Sequence, residues 1–489
     1  DNAAGDGTRL RVVMLDERRR NRVRAEFSLG VEGMVALAHA PAVVRAALHQ
    51  PRVFPQVLAV LREPDLPALA VARDPPRIAQ AVRPDFRPRI GRADERMPAA
   101  NRYTYIFLER ALSECLGWES LLARREKAAP LTADQQTAGA DLLAAIDFCF
   151  DQGWTDGLPV VPPQVDRVKA MLAADSRPSE TVLAVHPATG LELTLHSAAV
   201  NAVMAGCLPE FFPVVVAAFE AMNRPDFNFH GSTASTGGSA PLLIVSGPYA
   251  DKIGMNSDVN LFGPGNRPNA TIGRATRLIL RNVFQMLPGI SDKSTQGNPG
   301  KYSFCIAERS RGNPWPLLCE AQGYPKGTSS VTAYAGGGFC NVENHGGNTP
   351  EQVLSSVADA MANYGCITLG QSVVILAPEH MKIVGDAGWS REKAQDFLYT
   401  QAKRSIDGMK GVGKFRDREY DTQHGEGAHK LTEKGFLHRG LTPEDILITM
   451  GGGDAGGHSC FIPSWSRGRG SIMQHAAIRP RADKADKKN

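Results

Sequence analysis

The sequence predicts an α/β protein built from duplicated strand–helix–helix–strand units with pseudo-two-fold symmetry, preceded by a mainly helical N-terminal region. The first observation is a pair of matching stretches, residues 241–254 (PLLIVSGPYADKIG) and 372–385 (SVVILAPEHMKIVG). Each is an apolar strand that ends in a proline and runs into a short helix. A lysine stands four residues after the proline in both (Lys252, Lys382), and an isoleucine five after it (Ile253, Ile383). The second is that both copies reach a later apolar run that breaks into three glycines and then a histidine. VTAYAGGGFCNVENH ends at His345, and ILITMGGGDAGGH ends at His458. The third is a polar-capped amphipathic helix between proline and glycines, at 269–283 and 390–404. Self-similarity of this length reads as duplication and places a shared cleft between two glycine-rich loops.

Taken in order, residues 1–135 read as a helical adapter or oligomerisation region. They carry Ala, Arg, Leu and Val at helical spacing, as in APAVVRAALHQPRVFPQVLAVLREP, cut into short helices by prolines at 41, 51, 55, 64 and 67. The segment 104–127 is an amphipathic helix. Residues 136–240 form a helix-rich α/β lead-in. There a helix precedes a turn at Thr155-Asp156-Gly157, and Pro162-Pro163 sets the start of the next helix. A strand pair turns at Ala188-Thr189-Gly190. The stretch SAAVNAVMAGCLPEFFPVVVAAFEAM is apolar all round and so buried, with a break marked by Cys207 and Pro209. The two repeats occupy 241–371 and 372–478, and 479–489 is a disordered basic tail. The Pro- and Gly-dense stretches 227–240, 256–271 and 286–300 are long loops, which in compact domains tend to be functional.

Composition narrows the function. At 489 residues the chain needs several domains, and 43% hydrophobic with 22% charged residues is ordinary for a globular protein. A net charge of +4 gives a nucleic-acid role no global electrostatic support. No apolar run approaches the length of a membrane span, and DNAAGDGTRL lacks the apolar core of a signal peptide. Eight cysteines are scattered without a CxxC pair or a disulfide framework, so a reducing cytoplasmic setting is the simplest.

Two stretches suit an anion. In HGSTASTGGSA (230–240), Ser232, Thr233 and Ser235 sit among glycines just before a strand. Hydroxyls and exposed N–H groups there suit a phosphate or carboxylate better than covalent catalysis, since no GxSxG elbow is present. In LFGPGNRPNATIGRATRLILRNV, Asn266 and Arg267 lead into a helix with Asn269 as its N-cap, and Arg274 and Arg277 follow on its first turns. A helix N-terminus with arginines binds anions, while the same arginines paired with acidic residues across a domain interface is the equal alternative. Gly337 and Gly452, in the two glycine runs, offer backbone contacts to the ligand.

His345, His380 and His458 sit on the repeated unit as acid/base groups or ligands, and proton transfer falls to His345 or His458. Cys207, Cys305 or Cys460 would supply a thiolate: Cys207 only at an exposed helix end, and Cys460 because glycines and His458 lie beside it. His424, His429 and His438 fit neither HExxH nor a zinc-finger spacing and read as an accidental cluster.

Five stretches, WTDGLPVVPP, VNAVMAGCLPEFFPVVVAA, FGPGNRPNATIGRATRLILRN, PGKYSFCIAE and GGGDAGGHS, together resemble the large protein or domain associated with the bacterial UGSC family of (seleno)proteins. The resemblance spans roughly residues 145–480. It implies an α/β body and thiol- or selenol-linked redox chemistry. The family's Cys/Sec-Gly-Ser-Cys motif does not occur here; the nearest string is Gly457-His458-Ser459-Cys460. The reactive Cys or Sec would therefore sit on a small partner protein.

The leading expectation is an enzyme, or the substrate-binding subunit of one, acting on a small anionic molecule by redox chemistry within a homo-oligomer. A metal- or histidine-assisted hydrolase, hydratase or lyase is the alternative. A non-catalytic scaffold subunit is the third. No cofactor follows from the sequence.

Overall fold

The structure, a computed structural model, describes residues 9–15, 22–28, 142–363, 370–413, 435–466 and 470–481. The chain divides into two compact units, Asp1–Asp134 and Gln135–Asn489. In the first unit, strands β1 (Arg9–Leu15) and β2 (Arg22–Ser28) pair antiparallel, from Arg9 opposite Ser28 to Leu15 opposite Arg22. RVRAEFS alternates polar and apolar residues with the period of a strand. The helical readings of 41–65 and 104–127 lie outside the described residues.

The second unit is mixed α/β. It opens with helices α1 (Leu142–Asp151) and α2 (Val165–Leu172), then the hairpin β3 (Val182–Val185) and β4 (Glu192–Thr194). Helices α3 (Leu195–Ala205) and α4 (Phe212–Met222) follow. They are the apolar stretch of the sequence, interrupted where Gly206 takes a left-handed φ of 92° to end α3. All of α4 except Glu220 is buried. Next come β5 (Ala240–Ser246), α5 (Pro248–Lys252), α6 (Arg267–Asn282), β6 (Cys305–Ala307), β7 (Ser330–Gly336) and β8 (Cys340–Glu343). Helix α7 (Pro350–Asn363) leads to β9 (Ser372–Leu376), α8 (Pro378–Asp386) and α9 (Arg391–Gln401). The chain closes through β10 (Lys403–Ser405), β11 (Phe436–His438), β12 (Ile446–Met450), β13 (His458–Pro463) and β14 (Gln474–Ala477).

Two four-stranded sheets form, with orders β14-β7-β5-β6 and β12-β9-β13-β8. In the first, β5 is parallel to β6 and antiparallel to β7, and β14 is antiparallel to β7. In the second, β9 is parallel to β12 and antiparallel to β13, and β8 is antiparallel to β13. The β5–β6 connection carries α5 and α6, and the β9–β12 connection carries α8 and α9, then the β10–β11 pair with a further short helix, Ile406–Gly411.

Three apolar clusters set the layers. Leu243, Val245, Val331 and Ala333 of the first sheet pack with α3, α4 and α6. Val374, Leu376, Ile448 and Phe461 of the second pack with α7, α8 and α9. Between the sheets, Leu242, Ile244 and Tyr334 meet Val373, Ile375, Cys460 and Ile462. The order is therefore helix, sheet, sheet, helix. Both faces of β5 and β9 are covered, so these strands read as continuous apolar runs rather than alternating ones.

The two glycine runs fall at non-equivalent places. Gly336–Gly338 follow β7, the antiparallel neighbour of β5, as the chain crosses to the second sheet, and the Gly337 N–H donates to Pro463 O at 2.9 Å. Gly451–Gly453 follow β12, the parallel neighbour of β9, and the Gly452 N–H donates to Ser257 O at 3.0 Å. Glycine after an apolar strand marks close backbone approach in either setting: a Cβ on Gly336 would lie 3.1 Å from Ile462, and one on Gly451 2.6 Å from Leu261. Among the described residues no helix is long and apolar enough to cross a membrane.

Candidate functional site

The residues expected to bind an anion spend their hydrogen bonds on the protein itself. Arg274 donates to both Asp156 oxygens, at 2.9 and 2.8 Å, and to Leu158 O and Pro159 O. Burial raises the Asp156 carboxyl, but the guanidinium outweighs it and the net position is below the usual carboxylate range. Arg267 donates twice to Gly206 O, at 3.0 and 2.9 Å, satisfying a carbonyl at the end of α3. Asn266, not Asn269, caps α6: its Oδ1 accepts the Asn269 N–H at 3.2 Å, and Pro268 is tolerated in the first turn. Asn269 instead pins the loop between α5 and α6, accepting the Asn256 N–H and donating to Asn256 O.

The hydroxyl loop is likewise satisfied from within. Ser232 and Thr233 are buried and donate to Phe229 O at 3.0 and 2.9 Å. Ser235 accepts from the Gly237 N–H at 2.9 Å and from the Trp465 indole. Gly337 and Gly452 use their N–H groups on the protein's own backbone.

Cys207, Cys305 and Cys460 are all buried. Burial pushes the Cys207 thiol up to about 12, and it raises Cys305 and Cys460 further in the same direction. A thiolate needs water or a nearby positive charge, and the apolar space between the sheets around Cys460 offers neither. The condition set for Cys207, exposure at a helix end, is not met. Of the other histidines, His438 is buried and its Nδ1–H donates to Tyr399 O at 2.8 Å, while His424 and His429 lie outside the described residues.

His345 and His458 come together. Strands β8 and β13 place Glu343 directly opposite His458, and His345 follows two residues after β8 ends. The imidazole centroids are 5.1 Å apart with the rings nearly perpendicular, and His345 Nε2 lies 3.4 Å from Glu343 Oε1. Asn341, on the same face of β8 as Glu343, bonds His458 Nδ1 through its amide at 3.1 Å. All three members of the group face solvent: the side chain of His345 is 53% exposed, which leaves room for a small molecule.

A buried network holds this group from below. His380 is 1% exposed and sits near the N-terminus of α8. Its Nε2 is 2.8 Å from Asn344 O, and a carbonyl can only accept, so the proton is on Nε2. Nδ1 then accepts from Ser459 Oγ at 2.7 Å, and Ser459 Oγ accepts the Ala377 N–H at 3.0 Å. Asn344 folds the loop by accepting the Gly347 N–H at 2.7 Å and donating to Ser356 Oγ at 2.8 Å. Its N–H meets Gly457 O at 2.8 Å, and a Cβ on Gly457 would lie 2.2 Å from Asn344 O, so only glycine fits there. The Gly457 N–H in turn points at His345 Nδ1 from 3.4 Å. A backbone N–H only donates, so neutral His345 has its lone pair on Nδ1 and its proton on Nε2, towards Glu343. That is a carboxylate orienting an imidazole whose other nitrogen can accept a proton.

Beside the group runs a groove lined by Pro378, Glu379, Lys382, Ile383, Asp386 and Asp454. Lys382 pairs with Asp386 at 2.5 Å, Asp454 pairs with Arg309 and Arg311, and Glu379 accepts the Gly456 N–H at 3.2 Å, so each carboxylate of the groove already has a partner. Arg309, whose side chain is 4% exposed, ties the glycine loop after β12 to the loop after α5, donating to Gly452 O, Asp258 and Asp454.

Sequence reasoning named His345, His458 and the supporting His380 but missed Glu343 and Asn341. Alternation in CNVENH was the available signal, since it sets Asn341 and Glu343 on one side of a strand. Nothing local pairs that side with His458. No protein-family model matches the chain, and a search of curated proteins also found no match.

Proposed function

We propose that the chain is an enzyme of the hydrolase, hydratase or lyase kind, acting on a small polar molecule at Glu343, His345 and His458. One observation carries this reading: two exposed imidazoles 5.1 Å apart on a buried, hydrogen-bonded base, one of them oriented by a carboxylate. Imidazole takes and returns protons near neutrality, so one ring can withdraw a proton from water or substrate while the other delivers one. Glu343 orients His345 as base, and Asn341 holds His458 as acid. The groove along α8 receives the rest of the substrate, and Arg267 and Arg274, bonded within the protein, play no part in holding it.

The matching strand order of the two sheets supports the duplication suggested by the paired proline motifs, with the first copy contributing Glu343 and His345 and the second His458. If the chain shares the chemistry implied by its resemblance to UGSC-associated large domains, the reactive thiol or selenol comes from a partner protein. The burial of Cys207, Cys305 and Cys460 weighs against a thiol of this chain.

The test is turnover of a panel of small esters, lactones, amides and hydroxy acids by the full chain. His345→Ala and His458→Ala should each lower turnover by at least about a hundredfold, the usual contribution of a positioned acid or base. Iodoacetamide should leave it unchanged. Loss on alkylation with activity retained in both histidine variants would return the chemistry to a thiol.

A further inference from the structure

Resting on the reading of Glu343, His345 and His458 as the functional site, we infer that these three side chains bind one divalent transition-metal ion of the zinc class. Their ligand-capable atoms lie within 4.8 Å of one another, one from each residue. Two imidazoles and a carboxylate are the donor set of hydrolytic zinc sites and of related borderline metals, whereas calcium and magnesium prefer all-oxygen cages. A three-ligand protein set leaves a coordination position for water, which such an ion activates when bound.

The surroundings fit this use. Asn341 lies 3.1 Å from His458 Nδ1, which leaves Nε2 as the second ligand-capable nitrogen of this exposed ring. With the amide oxygen turned to that ring, Nδ1–H donates to it and Nε2 is the ligand atom, the outer-shell arrangement that metal-binding histidines use. The two contacts of His345, to Gly457 N–H and to Glu343, are both 3.4 Å long, near the outer limit of a hydrogen bond. Replacing either with a metal bond therefore gives up little. The strand register of Glu343 with His458 and the His380–Ser459–Asn344 network fix the backbone that carries all three ligands. The site needs no folding step to assemble.

The experiment is zinc titration by calorimetry on the full chain after chelator treatment and dialysis, with cobalt absorption spectra as a second readout. One zinc per chain is expected, with stoichiometric binding lost in His345→Ala and His458→Ala. Asn341→Ala should weaken binding about tenfold, as outer-shell changes do. Cobalt should give visible ligand-field bands without thiolate charge transfer. Zinc stoichiometry and affinity unchanged in both histidine variants would overturn the site, as would cobalt spectra dominated by thiolate. The two ideas fail separately. Zinc bound as described without turnover of any substrate sinks the proposed reaction and keeps the site. Turnover that persists in chelated, metal-free protein keeps the histidine pair and sinks the metal.

Discussion

The two sheets have the same strand order and directions, yet their polar residues do opposite work. Around the first sheet, Arg267, Arg274, Asn266 and Asn269 are all bonded to the protein itself. Around the second, His345, His458 and Glu343 face water at a free edge. The same architecture can therefore use polar residues as internal fasteners or leave them available for chemistry. Which occurs depends on whether a partner group from a distant segment arrives. Asp156 reaches Arg274 from the start of the unit and neutralises it. Among the described residues nothing comparable covers the outer end of β8. Chemistry survives where packing stops.

The contrast can be broken most forcefully at Asp156. Asp156→Ala leaves the Arg274 guanidinium, whose side chain is only 16% exposed, without its counter-charge. The expected loss is about 3 kcal/mol, at the low end for a broken buried pair because Leu158 O and Pro159 O still accept from Arg274. Urea unfolding measures it, and a loss below about 1 kcal/mol would show that the pair fastens nothing.

His380→Phe should cost about 2 kcal/mol, since Asn344 O and Ser459 Oγ lose a buried partner. It should also weaken zinc binding although His380 touches no ligand atom. Lost stability with unchanged zinc affinity would mean that His380 supports the fold but does not position the site.

His186 sharpens the same comparison by pH. It is fully buried against Phe229 and Phe284, and burial together with the charge of His230 pushes its pKa down to about 3. The unfolded chain takes up this proton below about 6.5 and the folded chain does not until about 3. Stability is thus complete above 6.5 and falls as pH drops through that window, by about 1.4 kcal/mol per unit for this residue. His186→Asn keeps an acceptor for Thr189 and should flatten that part of the stability curve. An unaltered slope between pH 6 and 5 would exclude His186 as its source.

The smallest effects are expected at the exposed edge and at the thiols. His458→Ala should leave the unfolding midpoint unchanged, because an exposed side chain on a short edge contact contributes little. In native protein, mass mapping after brief alkylation should find Cys340 modified before Cys149, Cys207, Cys305, Cys319 or Cys460, since it alone among the described cysteines is partly exposed. Early modification of Cys460 would show that the space between the sheets opens.

Much of the local structure was legible in the residues. Pro248 and Pro378 do begin short helices after apolar strands, Ser390 caps α9, and the apolar helix breaks at Gly206 just before Cys207. The site was legible only in part. His345 and His458 stood out because each follows a glycine run, although those runs follow strands of different standing. Arg267 and Arg274 were attractive as anion contacts for the reason that makes them good fasteners: a guanidinium near a helix end bonds whatever acceptor is closest.

By itself the sequence determined periodicity, capping and breaks, because these depend on neighbours within a turn or two of the chain. It also determined that β5 and β9 are buried on two faces, since their unbroken apolar runs tolerate nothing else. Only the tertiary structure decided which polar groups are satisfied. Hydrogen bonds and ion pairs form with whatever group packing brings within about 3 Å, and that group can lie anywhere in the sequence. Asp156 meets Arg274, Asn344 meets His380, and Glu343 meets His458 across separations that no local pattern encodes. The fate of a charged or titratable residue is set by that meeting, or by its absence at an open edge.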